Sequence, residues 1–145
     1  MMPAFENSGL LPEGIHWTDM QTVQKRYCQS AHRERLFAGF ERAVAVLRQA
    51  GCLMLYLDGS FVTAKEHRAD YDACWEPKGV NLSVLDPVFF DFRNKRAAQK
   101  AKYFGEFFPA DSRAEARSPF RTFLNFFQTD KDAGERKGII GIKMT

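Results

Sequence analysis

Between Ala31 and Gln49 apolar side chains return every three or four residues, at Leu36, Phe37, Phe40, Ala43, Val44 and Leu47, while Arg33, Arg35, Glu41 and Arg48 fall mostly on the other side. That spacing is the period of an α-helix with one apolar face, and it predicts a helix over the whole stretch. Gly51 follows where a glycine commonly closes a helix. Directly after it, Cys52 to Leu57 is a short apolar run ended by Asp58-Gly59, which reads as a buried strand. A helix that feeds the chain straight into a buried strand commits the fold to helix packed on sheet.

The remaining segments fill in an α+β plan. Up to about Trp17, Pro3, Gly9, Pro12 and Gly14 suggest an extended or looping lead-in. Thr18, with Gln21 three residues on, has the form of a capping box and predicts a short helix over Asp19 to Arg26. Asp70 to Glu76 alternates Asp70, Asp72 and Cys74 with Tyr71, Ala73 and Trp75, so a strand here sets both aspartates on one face. Pro77-Lys78-Gly79 is a turn signal, and Asn81 to Asp86 is a connection with room for one helical turn. Val88 to Phe92 reads as a further strand. Lys95 to Phe108 reads as one helix, with Ala97, Ala98, Ala101, Phe104 and Phe107 or Phe108 on its apolar face. Pro109 to Pro119 is a charged surface loop, Phe120 to Gln128 fits helix or strand, and Ile139 to Met144 is a closing strand. The expected architecture is one domain over residues 1–145, a small mixed β-sheet with helices mainly on one face.

Composition narrows the function classes. A chain of 145 residues can bury one core without disulfide or metal staples, and 14 Phe make that core aromatic. The net charge of +3 is too small to imply a nucleic-acid or membrane partner on its own. Cys28, Cys52 and Cys74 are odd in number and contain no CxxC pair, which suggests neither a disulfide framework nor a zinc site. The first residues have no basic region leading into an apolar run, and no stretch reaches 18 consecutive apolar residues. A soluble, cytoplasmic protein with no membrane contact is the expectation.

The chemistry concentrates where the buried strand ends. Gly59 has no Cβ, so backbone there can approach a phosphate closely, and Ser60 can offer a hydroxyl and a helix N-terminal amide to the same group. Asp70 and Asp72, two residues apart on a strand and about 7 Å apart along it, can present oxygen ligands from one face, the donor set that magnesium prefers. Paired aspartates are poor strand formers, which favours a functional over a structural reason for them.

Tyr56-Leu57-Asp58-Gly59-Ser60 followed by Asp70-Tyr71-Asp72 resembles the signature of the DNA polymerase beta superfamily of nucleotidyltransferases. The chain as a whole is also similar to small bacterial proteins of minimal nucleotidyltransferase type, some of which occur in toxin-antitoxin or phage-defence settings. The resemblance covers roughly Leu36 to Phe92. It implies magnesium- or manganese-dependent transfer of a nucleoside monophosphate from a nucleoside triphosphate such as ATP to a hydroxyl of a protein, RNA or small molecule. Under it, Asp70 and Asp72 hold metal and Gly59 and Ser60 bind the triphosphate. A third carboxylate is implied on a later strand; Asp91 is the candidate, with Asp86 in reserve because Pro87 restricts it to an edge or turn. Lys65 could neutralise phosphate charge, and as a lone lysine it equally suits a solvated surface.

Two other classes stay open. A catalytically silent module that keeps the fold to bind a partner, antitoxin-like, needs none of this chemistry. An RNA-binding domain would use Arg93, Lys95, Arg96, Lys100 and Lys102 beside Tyr103 and Phe104, although such a run is more often the solvated face of a helix. His16, His32 and His67 are isolated, and no P-loop or Ser-His-Asp spacing occurs.

Overall fold

The computed structural model describes residues 3–5, 10–59, 70–115, 121–129 and 136–144. Two short elements open it, β1 (Gly14–Thr18) and α1 (Met20–Tyr27). Then come α2 (Ala31–Gln49), β2 (Met54–Gly59), β3 (Tyr71–Trp75), a 3-10 turn (Pro87–Phe90), α3 (Arg93–Tyr103), β4 (Gly105–Pro109), α4 (Phe123–Phe127) and β5 (Gly138–Lys143). The protein is a small α+β fold built on one five-stranded mixed sheet in the order β1-β5-β2-β3-β4. β1 runs parallel to β5 and β3 parallel to β4, while β2 is antiparallel to both of its neighbours.

Period-two alternation divides the sheet into two unlike faces. Leu55, Leu57, Tyr71, Ala73, Trp75, Phe107, Ile140 and Ile142 point toward α2 and the turn at Phe89, where they meet Phe37, Phe40, Ala43, Val44 and Leu47. Aromatic contacts knit this core: Tyr71 lies edge-on to Phe40 at 5.4 Å and to Phe107 at 5.7 Å, and Phe89 stacks on Tyr103 at 5.2 Å. The Tyr71 hydroxyl donates to the Tyr103 carbonyl at 2.7 Å, so the ring is buried without an unmet polar group. On the opposite face a smaller cluster forms from Tyr56, Cys74, Phe108, Phe127 and Ile139, covered by α4.

Helix α2 runs as its periodicity requires, capped by the Ser30 hydroxyl on the Arg33 amide and followed by Gly51 at φ +100°. Four expectations are corrected. The segment near Gly14 is not part of a loop: β1 pairs in register with β5, and Leu11 just ahead of it is fully buried. The cap of α1 is Asp19, whose carboxylate accepts from the Thr22 amide at 2.7 Å, and not Thr18, which belongs to β1. Val88 to Phe92 is no strand, because Asp86 and Pro87 start a 3-10 turn whose carbonyls are used locally. Lys95 to Phe108 is not one helix: Phe104 adopts φ +64° and turns the chain into β4, whose Phe107 amide donates to the buried Gln99 side chain at 2.7 Å. Among the described residues no helix is long and apolar enough to cross a membrane.

Candidate functional site

The sheet gathers carboxylates on the face that α4 only partly covers. Register places Asp58 of β2 opposite Asp72 of β3, and Asp72 beside Glu106 of β4. Three acidic side chains therefore stand in one row across three central and edge strands, an arrangement that burial and mutual repulsion make unfavourable without compensating charge. Cations from the chain supply that charge. Lys137 Nζ reaches Asp58 at 3.1 and 3.2 Å. Lys100 Nζ lies 2.9 Å from Glu106, and Arg96 lies 3.3 Å from the same carboxylate.

Asp72 and Glu106 are hydrogen-bonded to each other and divide their protons unequally. Burial, followed by the contact with Glu106, pushes the Asp72 carboxyl well above its ordinary value. Burial would also raise Glu106, but the Asp72 hydrogen bond, Lys100 and Arg96 outweigh it and hold Glu106 low. The pair thus behaves as one carboxyl donating to one carboxylate. They line a cleft of about 260 Å³ together with Arg96, Phe108 and Phe123.

Asp70 stands just ahead of β3 and opens into a neighbouring recess with His32, Arg35 and Phe104, so it is set apart from Asp72. Lys100 joins the two recesses, lying 3.9 Å from Asp70 while it holds Glu106. Gly59 ends β2 opposite Tyr71, on the strand that carries Asp72. Ser60 and Lys65 lie outside the described residues. Asp91 is not brought to the row: it follows the 3-10 turn and its carboxylate is bound by Arg93 at 2.9 and 3.0 Å. Asp86 caps that turn and is tied to Lys102 and Tyr103.

Glu106 is the residue that sequence reasoning missed. Its signal was the alternation Gly105-Glu106-Phe107-Phe108, a short strand pattern hidden inside a presumed helix. The basic residues singled out for RNA are also largely engaged, Arg93 with Asp91, Lys102 with Asp86, and Arg96 and Lys100 with Glu106. The three cysteines are free thiols, and burial pushes Cys28 and Cys52 up to about 11, which leaves them unreactive.

Among the described residues no group of three or more His, Cys, Asp or Glu side chains is gathered so as to hold a metal ion. The donor chemistry of Asp72 and Glu106 nevertheless suits a hard, oxygen-seeking dication, since two carboxylates forced together are stabilised by a shared positive charge. Fold and site together define a small α+β protein with an acidic row at the centre of a mixed sheet. The chain belongs to DUF6932, a family of unknown function, whose model matches residues 3–143. No curated protein and no solved structure matches it.

Proposed function

We propose that the protein is a nucleotidyltransferase of the DNA polymerase beta type, transferring a nucleoside monophosphate from a nucleoside triphosphate to a hydroxyl of a protein, RNA or small molecule. The observation that carries this reading is the register of Asp72 with Glu106 on adjacent parallel strands. The resemblance calls for a third carboxylate on a strand after the Asp-x-Asp pair, and Glu106 meets that description where Asp91 does not.

In this reading Asp72 and Glu106, with Asp70 at the margin, hold the dication, and Gly59 with Ser60 receives the triphosphate. Magnesium, when bound, neutralises the phosphate charge and polarises the phosphoryl group under attack. The acceptor oxygen bonds to the α-phosphorus, the bond from that phosphorus to the bridging oxygen of the β-phosphate breaks, and pyrophosphate leaves. The hydroxyl proton passes to the carboxylate pair. Lys100, now on Glu106 and close to Asp70, is the cation that a bound dication would displace, and it then faces the phosphates. Such chemistry suits the cytoplasm, where triphosphates and magnesium are plentiful.

Incubation with labelled nucleoside triphosphates, magnesium and cell extract is expected to label an acceptor, and Asp70→Ala combined with Asp72→Ala to abolish labelling. Labelling that survives the double substitution contradicts the assignment.

One observation favours a second reading. Lys100, Arg96 and Lys137 already balance the acidic row, as a silent, antitoxin-like partner module would require. Calorimetry separates the two, because a silent module binds no non-hydrolysable triphosphate in a magnesium-dependent manner.

A further inference from the structure

Next to the cleft of Asp72 and Glu106 is a larger recess of about 520 Å³, walled by Phe90, Phe92, Arg96, Phe108, Pro109 and Phe123. It shares Arg96, Phe108 and Phe123 with the acidic cleft, so the two form one continuous depression. Its volume lies in the range of small-molecule sites.

The walls are unusual for a solvent-facing hollow. Phe90 and Phe92 are 43% and 41% exposed, a large apolar expense for a surface turn. The rings are also ordered: Phe92 lies parallel to Phe108, within 8° at 6.0 Å, and Phe108 lies parallel to Phe123, within 14° at 4.1 Å. The row of parallel rings therefore ends on an exposed ring, Phe92. Arg96 spans the junction, its guanidinium 5.2 Å from the Phe108 ring centre and 3.3 Å from Glu106. Asn94, Lys95 and Arg96 all adopt positive φ, 51° to 62°, a left-handed turn that non-glycine residues adopt only at a cost of about 1–2 kcal/mol each. Strain of this kind tends to gather at functional sites, and here it aims the arginine.

Flat apolar faces that continue a stack, next to an arginine and an acidic pair, match a planar heterocycle joined to phosphate. A lipid tail would use neither the ring alignment nor the arginine. A single-stranded nucleic acid would need successive stacking platforms along a charged groove, and the described residues offer one.

We propose that this recess receives the nucleobase of the nucleoside triphosphate, stacked on Phe92, with the α-phosphate directed to Asp72 and Glu106. The assignment rests on the nucleotidyltransferase reading above and specifies its substrate side.

Calorimetric titration of the full chain in magnesium buffer, using ATP and inorganic tripolyphosphate as separate probes, tests it. ATP is expected to bind the native protein about tenfold tighter than tripolyphosphate. Phe92→Ala should remove about that factor from ATP binding and leave tripolyphosphate unchanged, while Phe92→Trp keeps ATP affinity. Unchanged ATP affinity in Phe92→Ala, with the fold verified by circular dichroism, overturns the base pocket and leaves the transferase reading standing. A short oligoribonucleotide that depends on Phe92 when ATP does not overturns the donor assignment in favour of an acceptor strand. Absence of binding by both ATP and tripolyphosphate overturns the pocket and the transferase reading together.

Discussion

Asp86 accepts three hydrogen bonds, from the Val88 amide at 3.0 Å, the Tyr103 hydroxyl at 2.6 Å and the Lys102 ammonium at 2.5 Å. Partial burial alone would raise its pKa, but Lys102, Tyr103 and the Val88 amide outweigh it and hold the carboxyl below its ordinary 3.8. Because the folded pKa is the lower one, the stabilisation is present above pH 3.8 and fades as pH falls through the folded value. Asp86→Asn is therefore expected to lower Tm at pH 7, to approach the native Tm near pH 3, and to leave nucleotide binding intact; thermal melts at the two pH values check this. A Tm deficit as large at pH 3 as at pH 7 would count against the ionic origin. Asp91 is likewise occupied, held low by hydrogen bonds from Arg93. Both residues looked suitable as third carboxylates because acidic residues near Phe-rich runs resemble strand positions. What decided otherwise was Pro87, which starts a 3-10 turn after an acidic cap.

At the scale of elements, the contact between α2 and α3 depends on Gly39. A Cβ built there would stand 2.2 Å from the Tyr103 carbonyl oxygen and 2.7 Å from its carbon, both backbone atoms that cannot swing away. Alanine at an open helical position would gain about 1 kcal/mol over glycine, so propensity and packing oppose each other here. Packing should win: Gly39→Ala is expected to destabilise the protein by about 1–3 kcal/mol in urea titrations. A stabilised variant would mean that the two helices do not meet this closely. The same helix shows which elements can be read from sequence. α2 has a long, uninterrupted apolar period, and β2 and β5 are short apolar runs bounded by glycine or turn residues, so their types followed from pattern alone. The break between α3 and β4 did not. Phe104 occupies a left-handed position that glycine would normally mark, and Phe107 fits a helical face as readily as a strand face. Edge strand β1 was obscured for a related reason, since Pro12 and Gly14 mark a turn signal whether a strand follows or not.

Across the whole molecule, topology turns scattered residues into a site. β2, β3 and β4 are contributed by segments far apart in the chain, yet their register aligns Asp58, Asp72 and Glu106 in one row. Lys137 approaches from just before β5, and Arg96 and Lys100 from α3. The half of the site carried by Gly59, Asp70 and Asp72 was legible because its residues are close in sequence and their spacing is chemical. Glu106 and its cations were not, because only the parallel pairing of β3 with β4 brings them to Asp72. The account therefore makes Glu106, and not Asp91, the third carboxylate of a nucleotide site. Calorimetry with magnesium and a non-hydrolysable nucleoside triphosphate on Glu106→Gln and Asp91→Asn tests this most directly. The predicted result is that Glu106→Gln weakens magnesium-dependent binding by at least about tenfold while Asp91→Asn stays within about twofold of the native protein; loss of binding in Asp91→Asn with Glu106→Gln unaffected would contradict it.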